Sequence, residues 1–198
     1  MPGLDEVLHY LNGIYLLLKQ KQEGFGWLDL TWRGLVRSFW AFAWCLPALA
    51  VTWASWRLYY LSRMPAETQV GPDFFVKLAF VDFIGWLLPL ALLAVLARPL
   101  GYGKYLAVVV TTGNWLTVPL CYAFAVPFAL TLVLPTSAPL AGLLIYAVLG
   151  ASVILQFRLV WMCVGKQTLL AAAMTAIYVL PPMIIGQELQ RLLGTLPG

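Results

Sequence analysis

The sequence predicts an all-α protein: a polytopic membrane helical bundle of about five transmembrane helices, preceded by an amphipathic interfacial helix. Three observations carry this. Five stretches, roughly 39–60, 74–97, 104–134, 138–162 and 167–192, stay apolar over the length that a span requires, about 20 residues at 1.5 Å rise each. The 198 residues are 62% hydrophobic and 10% charged, whereas soluble domains carry about 25% charge. The charged residues also avoid the middles of most apolar runs, as side chains facing hydrocarbon do. The chain therefore divides into an amphipathic N-terminal segment, 1–38, and a five-helix bundle, 39–198. No soluble block of independent size is left over.

In the first element, Leu4, Val7, Leu8, Leu11, Ile14, Tyr15 and Leu18 recur every three or four residues and predict one apolar stripe on a helix over 4–21. Asp5 and Glu6 stand at its positive end and Lys19 and Lys21 at its negative end, which suits the helix dipole. It is too polar to span, so it is expected to lie on the membrane surface, with docking against a partner as the alternative. Gly24 and Gly26 end it. A second amphipathic piece, 27–38, brings Trp27, Trp32, Arg33 and Arg37 to the headgroup layer, where a ring is half wet and a cation meets phosphate. The opening residues do not read as a cleavable signal, because Asp5 and Glu6 occupy positions where such a signal is basic.

The first span is crowded with aromatics, of which Trp53, Trp56, Tyr59 and Tyr60 form an interfacial belt. The second carries Asp82. The third, 104–134, is too long for one straight crossing and too short for two; Gly113-Asn114, Pro119 and Pro127 predict a kinked, tilted helix, with a broken helix lining a substrate site as the alternative. In the fourth and fifth, the pairs Ala138 and Gly142, Ala147 and Ala151, and Ala172 and Ala176 are each four apart. Such small-residue faces let helix backbones approach closely, within the chain or against another copy or subunit. No internal repeat is present.

The net charge is +4, but the basic residues lie at the ends of apolar segments and not on one face, which excludes a nucleic-acid partner and points to membrane orientation. Lys19, Lys21, Arg33, Arg37, Arg98, Lys104 and Lys166 fall on one side; Arg57, Arg63, Arg191 and Lys77 fall on the other. The positive-inside rule then predicts a cytoplasmic N-terminus, and five spans put the C-terminus on the opposite side. Cys45, Cys121 and Cys163 lie far apart in apolar runs and read as buried thiols.

Ionisable groups within spans are functional candidates by default, because burying one costs several kcal/mol unless it is paired. Asp82 is the deepest. Arg57 and Glu188 are expected near the same membrane face, so an outer cluster of Arg57, Asp82 and Glu188 is geometrically feasible, with an ion pair locking helices as its simplest role. Asn114 and Gln156 are expected to cap interhelical contacts. Arg57, Asp82, Asn114, Gln156 and Glu188 are thus the candidate intramembrane polar cluster. The single histidine, His9, lies in the surface helix, so a haem or chlorophyll in the bundle has no histidine ligand. No serine-hydrolase elbow, zinc-protease helix or glycine-rich phosphate loop occurs, and neither cofactor nor metal is expected.

The run Gly101-Tyr102-Gly103-Lys104-Tyr105, then Thr111-Thr112-Gly113-Asn114-Trp115 and Pro119, resembles the glycine-tyrosine approach to the third span of the Yip1-like families of small five-span membrane proteins. It is also similar to a Tyr-Asn-Trp segment of uncharacterised bacterial membrane proteins, whose Leu-Arg-Gly-Phe-style lead into the first span resembles Trp32-Arg33-Gly34-Leu35 and Arg37-Ser38-Phe39-Trp40. Gly113-Asn114 stands where a Tyr-Asn pair would be closer to that pattern. The resemblance covers about 30–192 and implies a trafficking or organising role; no catalytic residue carries over. The expected function is accordingly non-enzymatic: an accessory, scaffold or organising subunit of a membrane assembly. The alternative is a small transporter or channel using the third span and Asp82.

Overall fold

The computed structural model describes residues 1–196. Its helices are α1 (Leu4–Leu18), α2 (Trp32–Ser38), α3 (Ala41–Arg63), α4 (Asp73–Leu96), α5 (Gly103–Val133), α6 (Ala138–Cys163) and α7 (Thr168–Leu192), with 3-10 turns at Gln22–Trp27 and Pro135–Ser137. Among the described residues there is no strand. Helices α3 to α7 are long and apolar enough to cross a bilayer, and they match the five predicted stretches to within a few residues. Around the bundle the order is α3, α5, α6, α7, α4: α5 packs chiefly on α3 and α6, and α4 chiefly on α7.

α5 organises the fold. Its 31 residues make it about 46 Å long by helix rise, well beyond a hydrocarbon layer of about 30 Å. The surplus lies at the end occupied by α1 and α2, where Val109 to Leu116 are buried without interruption. The length that predicts a kinked, tilted span, or alternatively a broken one, is therefore used for packing against the N-terminal segment. The helix is continuous, and Pro119 and Pro127 lie inside it.

α1 docks on the chain's own bundle. Val7, Tyr10, Ile14 and Leu17 are buried against α5, α6 and the first 3-10 turn, and this core is continuous with Trp115, Leu116, Val160 and Val164. The single predicted stripe splits in two. Val7 and Ile14 turn inward, whereas Leu4, Leu8 and Tyr15 stay exposed. Apolar residues cover about half the helix circumference, wide enough for two faces, and only packing distinguishes them. Residues 1–38 thus share a core with the bundle.

Local chemistry fixes the junctions. Asp29 Oδ1 accepts from the backbone N–H of Thr31 at 3.0 Å and from its hydroxyl at 2.6 Å, which holds the Asp29 carboxyl below the usual carboxylate range. Thr31 in turn caps α2 by accepting from Gly34 N at 3.3 Å. At the end of α4, Gly101 adopts φ +70°, a left-handed conformation that a side chain resists. Tyr102 then folds back so that its hydroxyl donates to Leu93 O at 2.8 Å. The glycine-tyrosine run is a helix stop.

Burial is greatest at the α1 end. The opposite end, formed by the α3–α4 and α5–α6 connections and the close of α7, holds fewer buried side chains and two clefts.

Candidate intramembrane polar site

Asp82 lies nine residues into α4, and Trp53 ten residues before the end of α3. The connection between these antiparallel helices therefore sets both at one level. Trp53 Nε1 donates to Asp82 Oδ2 at 2.6 Å, a short, charge-assisted geometry. The other carboxylate oxygen accepts no hydrogen bond among the described residues. Asp82 also lines an open cleft of about 450 Å³ between α4 and α7, opposite Gly186, Gln187 and Gln190. The cleft exists because the helix faces there are small: a Cβ on Gly186 would meet nothing within 4 Å, and one on Gly85 only the Pro182 ring, at 4.0 Å.

The five sequence candidates take separate partners. The Arg57 guanidinium reaches Val70 O at 3.5 Å, in the α3–α4 connection. Glu188 pairs with Arg191 at 3.3 Å on the exposed side of α7. Neither is ion-paired with Asp82: among the described residues the ion pairs are Glu6–Arg37, Asp73–Lys77 and Glu188–Arg191. The physical reason is local. Glu188 finds a cation one turn away on its own helix, and the loop carbonyl lies within reach of Arg57. Asn114 is buried at the other end of the bundle, where its amide donates to Ser38 Oγ at 2.9 Å and ties α5 to the close of α2. Gln156 is buried on α6, and its amide nitrogen has no partner among the described residues.

Trp53 is the site residue that sequence reasoning assigned to an aromatic belt. A signal was available, since counting outward from the α3–α4 connection places Trp53 and Asp82 at equal depth.

A second polar constellation joins α1 to α2. Arg37 pairs with Glu6 at 2.5 Å, and the Tyr10 hydroxyl donates to the same carboxylate at 2.5 Å. Burial, then this bond to Glu6, push the Tyr10 phenol up to about 12. His9 packs on Trp27 with ring centroids 4.6 Å apart.

Chemically, the Asp82 site presents one carboxylate oxygen and two amide side chains to an open cleft. Neither a nucleophile nor a second acid lines it, and no group of three or more metal-ligating side chains occurs among the described residues. It can hold a positive charge. No family model, curated protein or solved structure matches this chain.

Proposed function

We propose that this is a non-enzymatic, multi-pass protein of a bacterial inner membrane that serves as an accessory or organising subunit, with its α1 end in the cytoplasm. The observation that carries the reading is α6. Its most apolar window is only 6% buried, the lowest of the five spans, and its outward surface includes the small residues Ala147, Gly150 and Ala151 beside exposed Leu143, Tyr146 and Ile154. In lipid, apolar area alone gives no preference for a neighbouring helix, so a concave small-residue face is what favours one. The basic residues near the α2, α4–α5 and α6–α7 ends support the orientation. The Yip1-like resemblance implies the same organising role.

The test is native extraction into polymer nanodiscs, followed by mass measurement of the intact particle. A stoichiometric assembly is expected, of copies or of named subunits, and Ala147→Leu with Ala151→Leu should disperse it. Extraction as a lone chain, unaltered by those changes, would overturn the reading.

The Asp82 cleft favours a second reading, in which the bundle passes a solute. Flux across vesicles carrying the purified chain, lost in Asp82→Asn, would establish it in place of the first.

A further inference from the structure

The geometry points to a binding site for a primary ammonium group in the α4–α7 cleft, with Asp82 as its anion. This goes beyond the organising role and is independent of it. A carboxylate inside a span costs several kcal/mol unless it is compensated. The Trp53 indole compensates one oxygen at 2.6 Å. The other is left to the cleft, where Gln187 and Gln190 line the opposite wall.

The donor set selects the ligand. Each glutamine carries one carbonyl acceptor, so among the residues that line the cleft Asp82 and the two amides can supply three oxygens. A primary ammonium has three N–H donors and matches that count. Divalent Ca²⁺ or Mg²⁺ needs about six or more oxygens, twice what the cleft supplies. An anion would meet the uncompensated carboxylate. A quaternary ammonium carries the charge but has no N–H to give the amides.

The volume selects the rest of the molecule. About 450 Å³ exceeds what one ammonium fills, and Val81, Pro182 and Met183 give the cleft an apolar wall. The ligand is therefore an amphipathic primary amine. Asp82 lies level with Trp53, about 15 Å by helix rise from the α3–α4 connection, so the ammonium group must descend the open cleft to reach it. Two sources share this chemistry: the ethanolamine headgroup of a membrane phospholipid, and a free alkylamine arriving from water.

The experiment uses the full chain in mild detergent, titrated and read by native mass spectrometry. The probes are phosphatidylethanolamine against phosphatidylcholine of identical chains, and n-octylamine against octyltrimethylammonium. Saturable binding of the ethanolamine lipid at least about tenfold tighter than the choline lipid, equivalent to about 1.4 kcal/mol, with the preference lost in Asp82→Asn, supports a lipid ligand. The same preference seen only between the two small amines, and lost in Asp82→Asn, supports a free amine. Equal affinity within both pairs, or a preference that survives Asp82→Asn, overturns the site. If Asp82→Asn does not fold, Gln187→Leu, at an exposed position, takes its place: it should reduce the preference severalfold, and full retention overturns the site.

Discussion

The ring of Tyr10 lies 4.8 Å from the ring of Trp115, centroid to centroid, and both are buried. One belongs to the N-terminal helix and the other to α5, so the amphipathic segment is anchored in the bundle by an aromatic pair. Such pairs add about 0.5–1.5 kcal/mol beyond their buried area. Truncating Trp115 to alanine also empties core volume, at a cost of about 3–5 kcal/mol. Trp115→Ala should release α1, with amide exchange over 4–18 rising while α6 and α7 stay protected. Unchanged protection of α1 would show that its docking does not depend on this pair.

The seat of α1 should loosen in alkali. Tyr10 titrates at about 12 in the folded chain, against an ordinary value of 10.0, because burial and the bond to Glu6 favour the neutral phenol. A raised folded value means that its contribution is complete below about 10 and is lost as pH climbs toward 12. Glu6→Gln, which removes a charge from the phenol's partner, should narrow that window. The measurement is α1 exchange or proteolysis against pH; a midpoint that ignores Glu6→Gln refutes it.

At the polar site, the two halves of one hydrogen bond should not be equally costly. Trp53→Phe leaves a half-buried carboxylate oxygen without its donor, a penalty of about 1–3 kcal/mol. Asp82→Asn keeps a carbonyl that the indole can still bond. Denaturant unfolding in mixed micelles should therefore rank Trp53→Phe as the more destabilised variant, and the reverse order would mean that Asp82 is not held by the indole.

Two buried amides make a similar contrast. Asn114→Leu removes the donor to Ser38, together with a buried carbonyl oxygen that has no partner among the described residues, whereas Gln156→Met removes a nitrogen that has none. The first should cost about 1 kcal/mol or more, the second nothing or slightly less than nothing. A marked loss in Gln156→Met would reveal a partner for Gln156.

Two neighbouring glycines separate close packing from chain flexibility. A Cβ on Gly24 would stand 2.5 Å from Gly13 O, whereas one on Gly26 meets nothing within 4 Å. Gly24→Ala should cost about 1–3 kcal/mol by overpacking and unseat the 3-10 turn from α1. Gly26→Ala should be silent in the same thermal-shift series. Equal effects would exclude packing as the cause.

The sequence alone determined the five spans and their ends, because hydropathy over about 20 residues is a local property that lipid reads directly. It also determined the helical stripe of α1 and the position of Asp82. Tertiary structure decided what those features meet. Leu4 and Val7 carry equal weight in an apolar periodicity, yet only Val7 is covered, since coverage depends on where α5 and α6 run. Asp82 was placed with Arg57 and Glu188 by shared depth, and depth says nothing of azimuth: the indole of Trp53 faces it, while Glu188 turns to Arg191. The length of α5 was legible and its use was not, because a surplus beyond the hydrocarbon becomes packing surface only once α1 folds back onto it.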